Sequence, residues 1–117
     1  MKSLSTYAND TFIKYTLYEL FESHEYVDDI DKINRLINEV NYGKTPKIVF
    51  KNSYLKEYFI SNLYTVRPDI NVVNCNCSID RFYENNFGGL LIFNNVKHCK
   101  HSEIIEEIQK HKCLLLC

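Results

Sequence analysis

The sequence lacks an excess of charge of either sign. Its 117 residues carry 14 Lys and Arg against 15 Asp and Glu, which gives a formal net charge of −1. Electrostatic attraction to nucleic acids or to anionic membranes requires a basic surface. The composition therefore does not support a nucleic-acid partner, and we expect no membrane partner either.

Long apolar segments are also missing. The opening "MKSLSTYAND" has no secretory hydrophobic region, and no apolar run approaches the roughly 20 residues that cross a bilayer. The number of cysteines is odd, and their spacing matches no disulfide framework, which favours free thiols. They are Cys75, Cys77, Cys99, Cys113 and Cys117. We therefore expect a soluble protein in a reducing cytoplasm.

Alanine is nearly absent. Ala8 is the only one, whereas Asn, Ile, Lys and Tyr are abundant. A+T-rich codons produce this bias, and folding does not require it. We interpret it as a sign of viral or mobile-element origin, in which case the cytoplasm is that of a host cell.

The length and the hydrophobic content fit one globular domain over residues 1–117. Hydrophobic residues make up 45% of the chain and charged residues 25%. A chain of this length buries roughly two-thirds of its unfolded surface, which is enough for one core. No repeat or low-complexity linker divides it.

Residues 1–45 are predicted to be helical. Apolar residues recur at helical spacing over residues 9–23 and again over residues 28–41. Asp28 and Asp29 favour the start of the second helix, and Gly43 favours its end.

Residues 46–117 alternate between short apolar runs and helical segments. The runs "KIVF", "INVVN", "GLLIF" and "CLLLC" do not alternate apolar with polar residues, as is typical of parallel strands buried on both faces. Helices are predicted over residues 53–65 and 102–110, and a short polar-aromatic segment over residues 78–83 separates the second run from the third. The predicted fold is α/β, a small and mainly parallel sheet of about four strands flanked by helices, with two N-terminal helices.

The order of these elements, with "LLIFNN" on the third strand and "KCLLLC" on the fourth, resembles the first part of a P-loop AAA+ core such as a clamp-loader subunit. The resemblance covers residues 28–117. It implies that the first strand enters a phosphate loop and that the third strand ends at an acidic motif.

Both motifs of that family are altered here. The segment after Phe50, "KNSYLKEY", contains none of the glycines that let backbone N–H groups wrap phosphates. Lys51, Ser53 and Lys56 remain as candidates for a reduced nucleotide- or anion-binding site at a helix start, and a plain capped helix is the alternative. The "GKT" at residues 43–45 precedes the strand instead of following it, so we interpret it as a helix stop.

Asn94 and Asn95 occupy the position of the acidic motif. In the family an Asp there holds the magnesium ion and a following Glu activates water, which an uncharged Asn does poorly. The sequence therefore predicts no ATP hydrolysis and no catalytic residues. The alternative is that both asparagines simply form the polar turn after a buried strand.

A Cys/His cluster offers a metal-binding alternative. His98, Cys99 and His101 are residue types that zinc prefers, although no paired knuckle spacing is present. The alternative is a solvated loop with buried thiols, and we expect no cofactor.

We therefore expect a non-catalytic domain that binds another protein, of replication, defence or a host. Exposed aromatic residues would be its anchors. A nucleotide- or anion-binding module and a Cys/His metal-binding regulator remain the alternatives.

The last predicted strand suggests self-association. Nothing follows "CLLLC" to cover it, and it contains no charge or proline that would protect an open sheet edge. Either the N-terminal helices over residues 9–41 cover this edge or a second chain does, and we expect a homodimer with Leu114, Leu115 and Leu116 at its interface.

Overall fold

A parallel five-stranded sheet forms the middle layer of the fold. The computed structural model describes the backbone of residues 4–117 and the side chains of residues 9–117. The strands are β1 (Glu25–Val27), β2 (Lys47–Phe50), β3 (Ile70–Asn74), β4 (Leu90–Asn94) and β5 (Leu114–Leu116). Their spatial order is β1-β2-β5-β4-β3, and every neighbouring pair is parallel. The predicted α/β class is confirmed, with five strands where about four were expected.

Helices cover both faces of this sheet. They are α1 (Leu4–Leu20), α2 (Ile30–Asn41), α3 (Ser53–Val66), α4 (Ile79–Tyr83) and α5 (Ser102–Ile108), with a 3₁₀ turn at Val96–His98. In residues 4–117, no helix combines the length and the apolar character that crossing a membrane requires.

Side-chain caps fix the starts of three helices. Asp29 accepts a hydrogen bond from the backbone N–H of Lys32 at the start of α2. At the start of α3, Asn52 accepts a hydrogen bond from the backbone N–H of Leu55. At the start of α4, Ser78 accepts one from the backbone N–H of Arg81. Each cap satisfies an N–H group that has no partner inside its helix.

The sheet has a separate apolar core on each face. On one face α2 and α3 pack against side chains that include Ile48, Ile92 and Leu114. On the other face α1, α4 and α5 pack against Val73, Phe93 and Leu115. Successive strand residues point to opposite faces, so runs such as "LLIF" and "LLL" are apolar throughout because both faces are buried.

The N-terminal part contains the two predicted helices, but between them lies a strand that the sequence did not predict. Its first helix ends at Leu20, and Glu25–Val27 forms strand β1 beside β2. Only one residue of this strand, Val27, is buried. Three residues with one buried side chain produce no period that distinguishes a strand from a helix end.

The prediction that the last strand is an edge strand was wrong. β5 lies in the middle of the sheet, between β2 and β4. Leu114, Leu115 and Leu116 are 0%, 3% and 0% exposed, so they are core residues and provide no surface for a second chain. The connection from β2 to β3 skips two positions in the sheet, and β4 and β5 fill them. The two open edges are β1 and β3.

Candidate functional site

The carboxyl ends of β2, β5 and β4 lie side by side at one edge of the sheet, and we refer to this region as the crevice. The chain leaves β2 toward α3 on one face of the sheet, whereas it leaves β4 toward α5 on the other face. Connections that diverge in this way open a cleft above the strand ends, where ligands bind in open α/β sheets.

Lys56 spans this crevice from the beginning of α3. Its Nζ donates hydrogen bonds of 3.0 Å to Oδ1 of Asn94 and 2.9 Å to Oδ1 of Asn95, and all three side chains are half-buried. The structure thus brings one of the predicted anion-binding residues to the predicted motif position. Within the described side chains, no carboxylate forms an ion pair with Lys56, so neutral amides hold its charge.

Asn95 extends the network to β3. Its backbone is in the left-handed region (φ 57°), which asparagine tolerates better than most residues. Its Nδ2 donates to Oδ1 of Asn74 at 3.0 Å, and the same oxygen accepts the N–H of Asn76 at 3.1 Å. The backbone turn after β4 therefore points this one side chain at both Lys56 and Asn74.

The other two predicted anion-binding residues lie outside this network. Lys51 and Ser53 are exposed, and none of the hydrogen bonds of the crevice includes their side chains. The hydrogen bond from Lys32 is the main cause that lowers the pKa of the Asp28 carboxyl. The positive charge of Lys51 is close enough to Asp28 to add a smaller contribution. Only Lys56 of the predicted set reaches the strand ends.

Cys117, at the end of β5, lies near Lys97 and Lys56 beside these strand ends, and sequence reasoning missed it. The backbone N–H of Lys97 donates to its Sγ at 2.9 Å. Burial raises the pKa of this thiol, and the positive charges of Lys97 and Lys56 partly oppose the increase. Asn74 was missed as well. The signal for both was that each stands at the carboxyl end of a predicted strand, where parallel strands share an edge.

The predicted metal ligands do not converge. Cys99 points into the core, where it is 4% exposed, and its thiol donates to the carbonyl of His101 at 3.5 Å. Burial raises its pKa, whereas His98 is exposed to solvent. Over residues 4–117, no group of three or more His, Cys, Asp and Glu side chains is arranged to hold a metal ion.

The crevice network consists of one cation, neutral amides and a thiol. Such groups can attract and hold an anionic group by charge and by N–H donation. They supply no carboxylate that could bind a magnesium ion or take a proton from water.

A second concave surface lies along α1, and we refer to it as the α1 groove. It is a cavity of about 450 Å³ lined by Lys14, Leu17, Tyr18, Phe21, Glu22, His24 and Lys97. The Nζ of Lys97 lies 5.1 Å from the centroid of the Phe21 ring, within the range of a cation–π contact. A neighbouring cavity of about 380 Å³ continues along the helix and adds Ile13 and Lys100 to its walls.

One strongly exposed aromatic side chain lines this groove. Tyr18 is 70% exposed, whereas Tyr15 and Phe12 on the same helix, 64% and 37% exposed, line neither of the two cavities.

Comparison with known proteins gives no relatives: no family description, no curated protein and no solved structure matches the chain.

Proposed function

We propose that this chain is a non-catalytic protein-interaction domain that binds its partner in the α1 groove. The observation that carries the proposal is the groove itself, which is lined by an apolar floor, one strongly exposed aromatic residue and lysines. Aromatic residues dominate the binding energy of protein interfaces because they bury a large area with few rotatable bonds.

The groove also indicates the chemistry of the partner. Leu17 and Phe21 form its floor, which suits an apolar anchor residue. Lys14 and Lys97 line the groove together with Glu22, and the neighbouring cavity adds Lys100 and Asp10, so lysines outnumber acidic residues on this surface. A partner segment with an apolar anchor flanked by acidic residues fits this arrangement best.

The resemblance to a degenerate P-loop core remains part of the proposal. It gains support from the Lys56 network, because the helix that follows β2 reaches the two residues that follow β4. In a P-loop protein those are the phosphate-loop helix and the acidic motif. Here two amides replace the acids, and the lysine binds them directly, which favours a binding function over hydrolysis. We infer a viral or mobile-element protein that acts in a reducing cytoplasm on a replication, defence or host protein.

A comparison of retained partners tests the proposal. The purified chain is immobilised and exposed to a lysate of native or host cells, in parallel with Tyr18→Ala, Lys97→Glu and the control Tyr42→Ala. Tyr42 is 89% exposed and does not line the α1 groove. We expect a protein that wild type and the control retain and that both groove variants lose. Partners that all four chains retain equally would reject the groove as the binding site.

A second candidate function is the binding of an anion at the crevice. The specific observation is that Lys56 carries a positive charge at the strand ends with only amide oxygens as partners. An ammonium group has three donors, so one remains for a phosphate oxygen. We expect such a site to accept the phosphates of a nucleotide without magnesium.

Thermal unfolding with ATP or inorganic triphosphate, with and without magnesium, tests this second function. A bound ligand raises the unfolding temperature with its concentration. We expect Lys56→Met to lose that increase, measured against its own ligand-free midpoint, and Lys44→Met to keep it. Lys44 is 69% exposed and pairs with Glu39 outside the crevice. An unchanged midpoint of the wild-type chain at every ligand concentration would exclude the anion site.

A further inference from the structure

The sheet has two open edges, and they differ in how many backbone groups they expose. β3 is five residues long and pairs only with β4, whereas β1 is three residues long and pairs only with β2. An edge strand with unpaired N–H and C=O groups is a template for another strand.

The register of β3 and β4 determines which backbone groups of β3 face outward. The carbonyl of Asp69 accepts the N–H of Leu90, and the N–H of Cys75 donates to the carbonyl of Asn94. Backbone groups alternate in direction along a strand, so Asn71 and Val73 also face β4. The backbone groups of Ile70, Val72 and Asn74 therefore point away from the sheet.

Two of these six outward groups already have partners. The N–H of Ile70 donates to the carbonyl of Arg67 at 3.2 Å, and the thiol of Cys77 donates to the carbonyl of Asn74 at 3.1 Å. Among the hydrogen bonds of the described residues, none engages the other four. They are the carbonyl of Ile70, the N–H and carbonyl of Val72, and the N–H of Asn74.

The opposite edge, β1, offers fewer free backbone groups. In β1 the carbonyl of Val27 accepts the N–H of Lys51, so by the same alternation Tyr26 is the residue whose backbone faces outward. Its carbonyl accepts a hydrogen bond from Nζ of Lys32 at 3.4 Å. The Arg35–Glu25 ion pair, at 3.1 Å, adds charge beside this strand. Among the hydrogen bonds of the described residues, only the N–H of Tyr26 is left without a partner on this side of β1.

The four free groups of β3 are two donors and two acceptors, and a two-fold axis through Val72 brings each donor of one copy opposite an acceptor of a second copy. We propose that a second copy of this chain pairs with β3 in antiparallel fashion, so that two five-stranded sheets join into one. The two Val72 residues exchange both of their hydrogen bonds, and Asn74 of each copy donates to the carbonyl of Ile70 in the other. This pairing forms four hydrogen bonds and leaves none of the four groups of either copy unpaired.

The side chains of β3 and the space beside it fit this pairing. "INVVN" contains no charge and no proline, so the axis brings no like charges together and no residue blocks the edge. Val72 is 37% exposed, and the two copies of it would cover each other. A cavity of about 780 Å³, lined in part by Val72, Asn74 and Arg81, lies next to the strand. In the described part of the chain, the edge is thus open to an added strand. This inference does not depend on the proposed function.

Sedimentation equilibrium across a wide concentration series tests the proposal, with Val72→Pro as the disrupting variant. Proline removes only an N–H that faces away from β4, so it is tolerated on this edge while it blocks the new pairing. The matched control is Tyr26→Pro, which makes the same change at the outward residue of β1. We expect a dimer for wild type and for the control, and a monomer for Val72→Pro with an unchanged circular dichroism spectrum.

Cross-linking provides a second measurement that does not depend on the folding of a proline variant. An antiparallel hydrogen-bonded pair places the two Cα atoms about 5.5 Å apart, within the range of a disulfide. We expect Val72→Cys in a Cys77→Ser background to form a covalent dimer on mild oxidation and Tyr26→Cys in the same background to form none. A monomeric wild-type chain at every concentration, a dimer that persists in Val72→Pro, or failure to cross-link at position 72 would each overturn the proposal.

Discussion

Lys56 and Asn95 are joined by a 2.9 Å hydrogen bond although 39 positions separate them in the chain. The bond connects the first turns of α3 to the left-handed residue after β4, across the carboxyl ends of the sheet. The half-buried cation of Lys56 is thus held by amide oxygens and not by a carboxylate.

Asn95 is expected to matter through both its backbone and its side chain. Asn95→Ala removes the amide that accepts from Lys56 and places an ordinary side chain at φ 57°. We expect it to lower the free energy of unfolding by about 1–3 kcal/mol. Asn95→Gly loses the same hydrogen bonds but adopts this φ without strain, so its loss should be smaller. Urea unfolding of both variants measures the difference, and equal losses would show that the backbone conformation contributes nothing.

Gly89 is expected to be the least replaceable glycine. It has φ +71°, and an added Cβ would lie 2.3 Å from the carbonyl oxygen of Asp69, which belongs to the first β3–β4 hydrogen bond. The control is Gly43, with φ +95° and no atom within 4 Å of such a Cβ. Gly43→Ala should cost about 1–2 kcal/mol of stability from backbone strain alone.

Gly89→Ala should lower the free energy of unfolding by about 1–3 kcal/mol more than Gly43→Ala, because the added methyl overlaps with backbone that cannot move freely. Chemical denaturation of the two variants gives both values. A loss for Gly89→Ala no greater than that for Gly43→Ala would mean that the start of β3 shifts without cost.

The five cysteines should separate into two classes of reactivity. Cys75, Cys99 and Cys113 are buried, and burial raises the pKa of each thiol, that of Cys113 to about 11. Cys77 and Cys117 are half-exposed. Because the thiolate is the reactive form, a disulfide reagent should modify no more than these two rapidly in the folded chain.

Unfolding in denaturant without a reductant should then release all five thiols to the reagent. Mass spectrometry of the labelled chain counts them in both states. Fewer than five labels after unfolding would contradict the prediction that the cysteines are reduced.

Stability should fall in acid partly because of Glu107. The pKa of the Glu107 carboxyl is lowered mainly by the hydrogen bond from His111 at 3.2 Å, and the hydrogen bond from Lys110 at 3.3 Å adds to this effect. A lowered pKa in the folded state stabilises the fold above the ordinary glutamate value of about 4.3, and the contribution disappears as the pH falls through the lowered value.

The stability difference between wild type and Glu107→Gln should therefore be present at neutral pH and shrink in acid. Glu106→Gln, at the exposed neighbouring position, is the control and should show no such change. Urea unfolding at both pH values measures it, and a difference that does not vary with pH would refute the role of Glu107.

ATP hydrolysis should be absent even after acidic residues are introduced at the end of β4. Asn94→Asp with Asn95→Glu supplies carboxylates at the strand end, but the segment after β2 still lacks the glycines of a phosphate loop. We expect phosphate release with magnesium to stay at background for wild type and for this double variant. Turnover that Lys56→Met abolishes would contradict this prediction and would assign a catalytic role to the crevice.

Several residues of the candidate site could be predicted individually from the sequence. Lys56, Asn94 and Asn95 were each identified as site positions from their place at a helix start or a strand end. Their contact was not predictable, because it depends on β5 separating β2 from β4 by one strand width. Asn74 and Cys117 entered the site only through that same arrangement of strand ends.

The sequence by itself determined most of the elements of this protein. The bounds of β2 and β3 were predicted to the residue, and those of α2, α3 and α5 to within about two residues, whereas α4 was predicted only as a polar-aromatic segment. These features depend on local properties: the hydrophobic period, the caps and the buried character of each run. Tertiary structure alone decided that β1 exists, that β5 lies at the centre and that β3 is left as the open edge. Such choices depend on which strand edges pair over long distances in the chain, and the pairing energy of backbone groups is the same for every sequence.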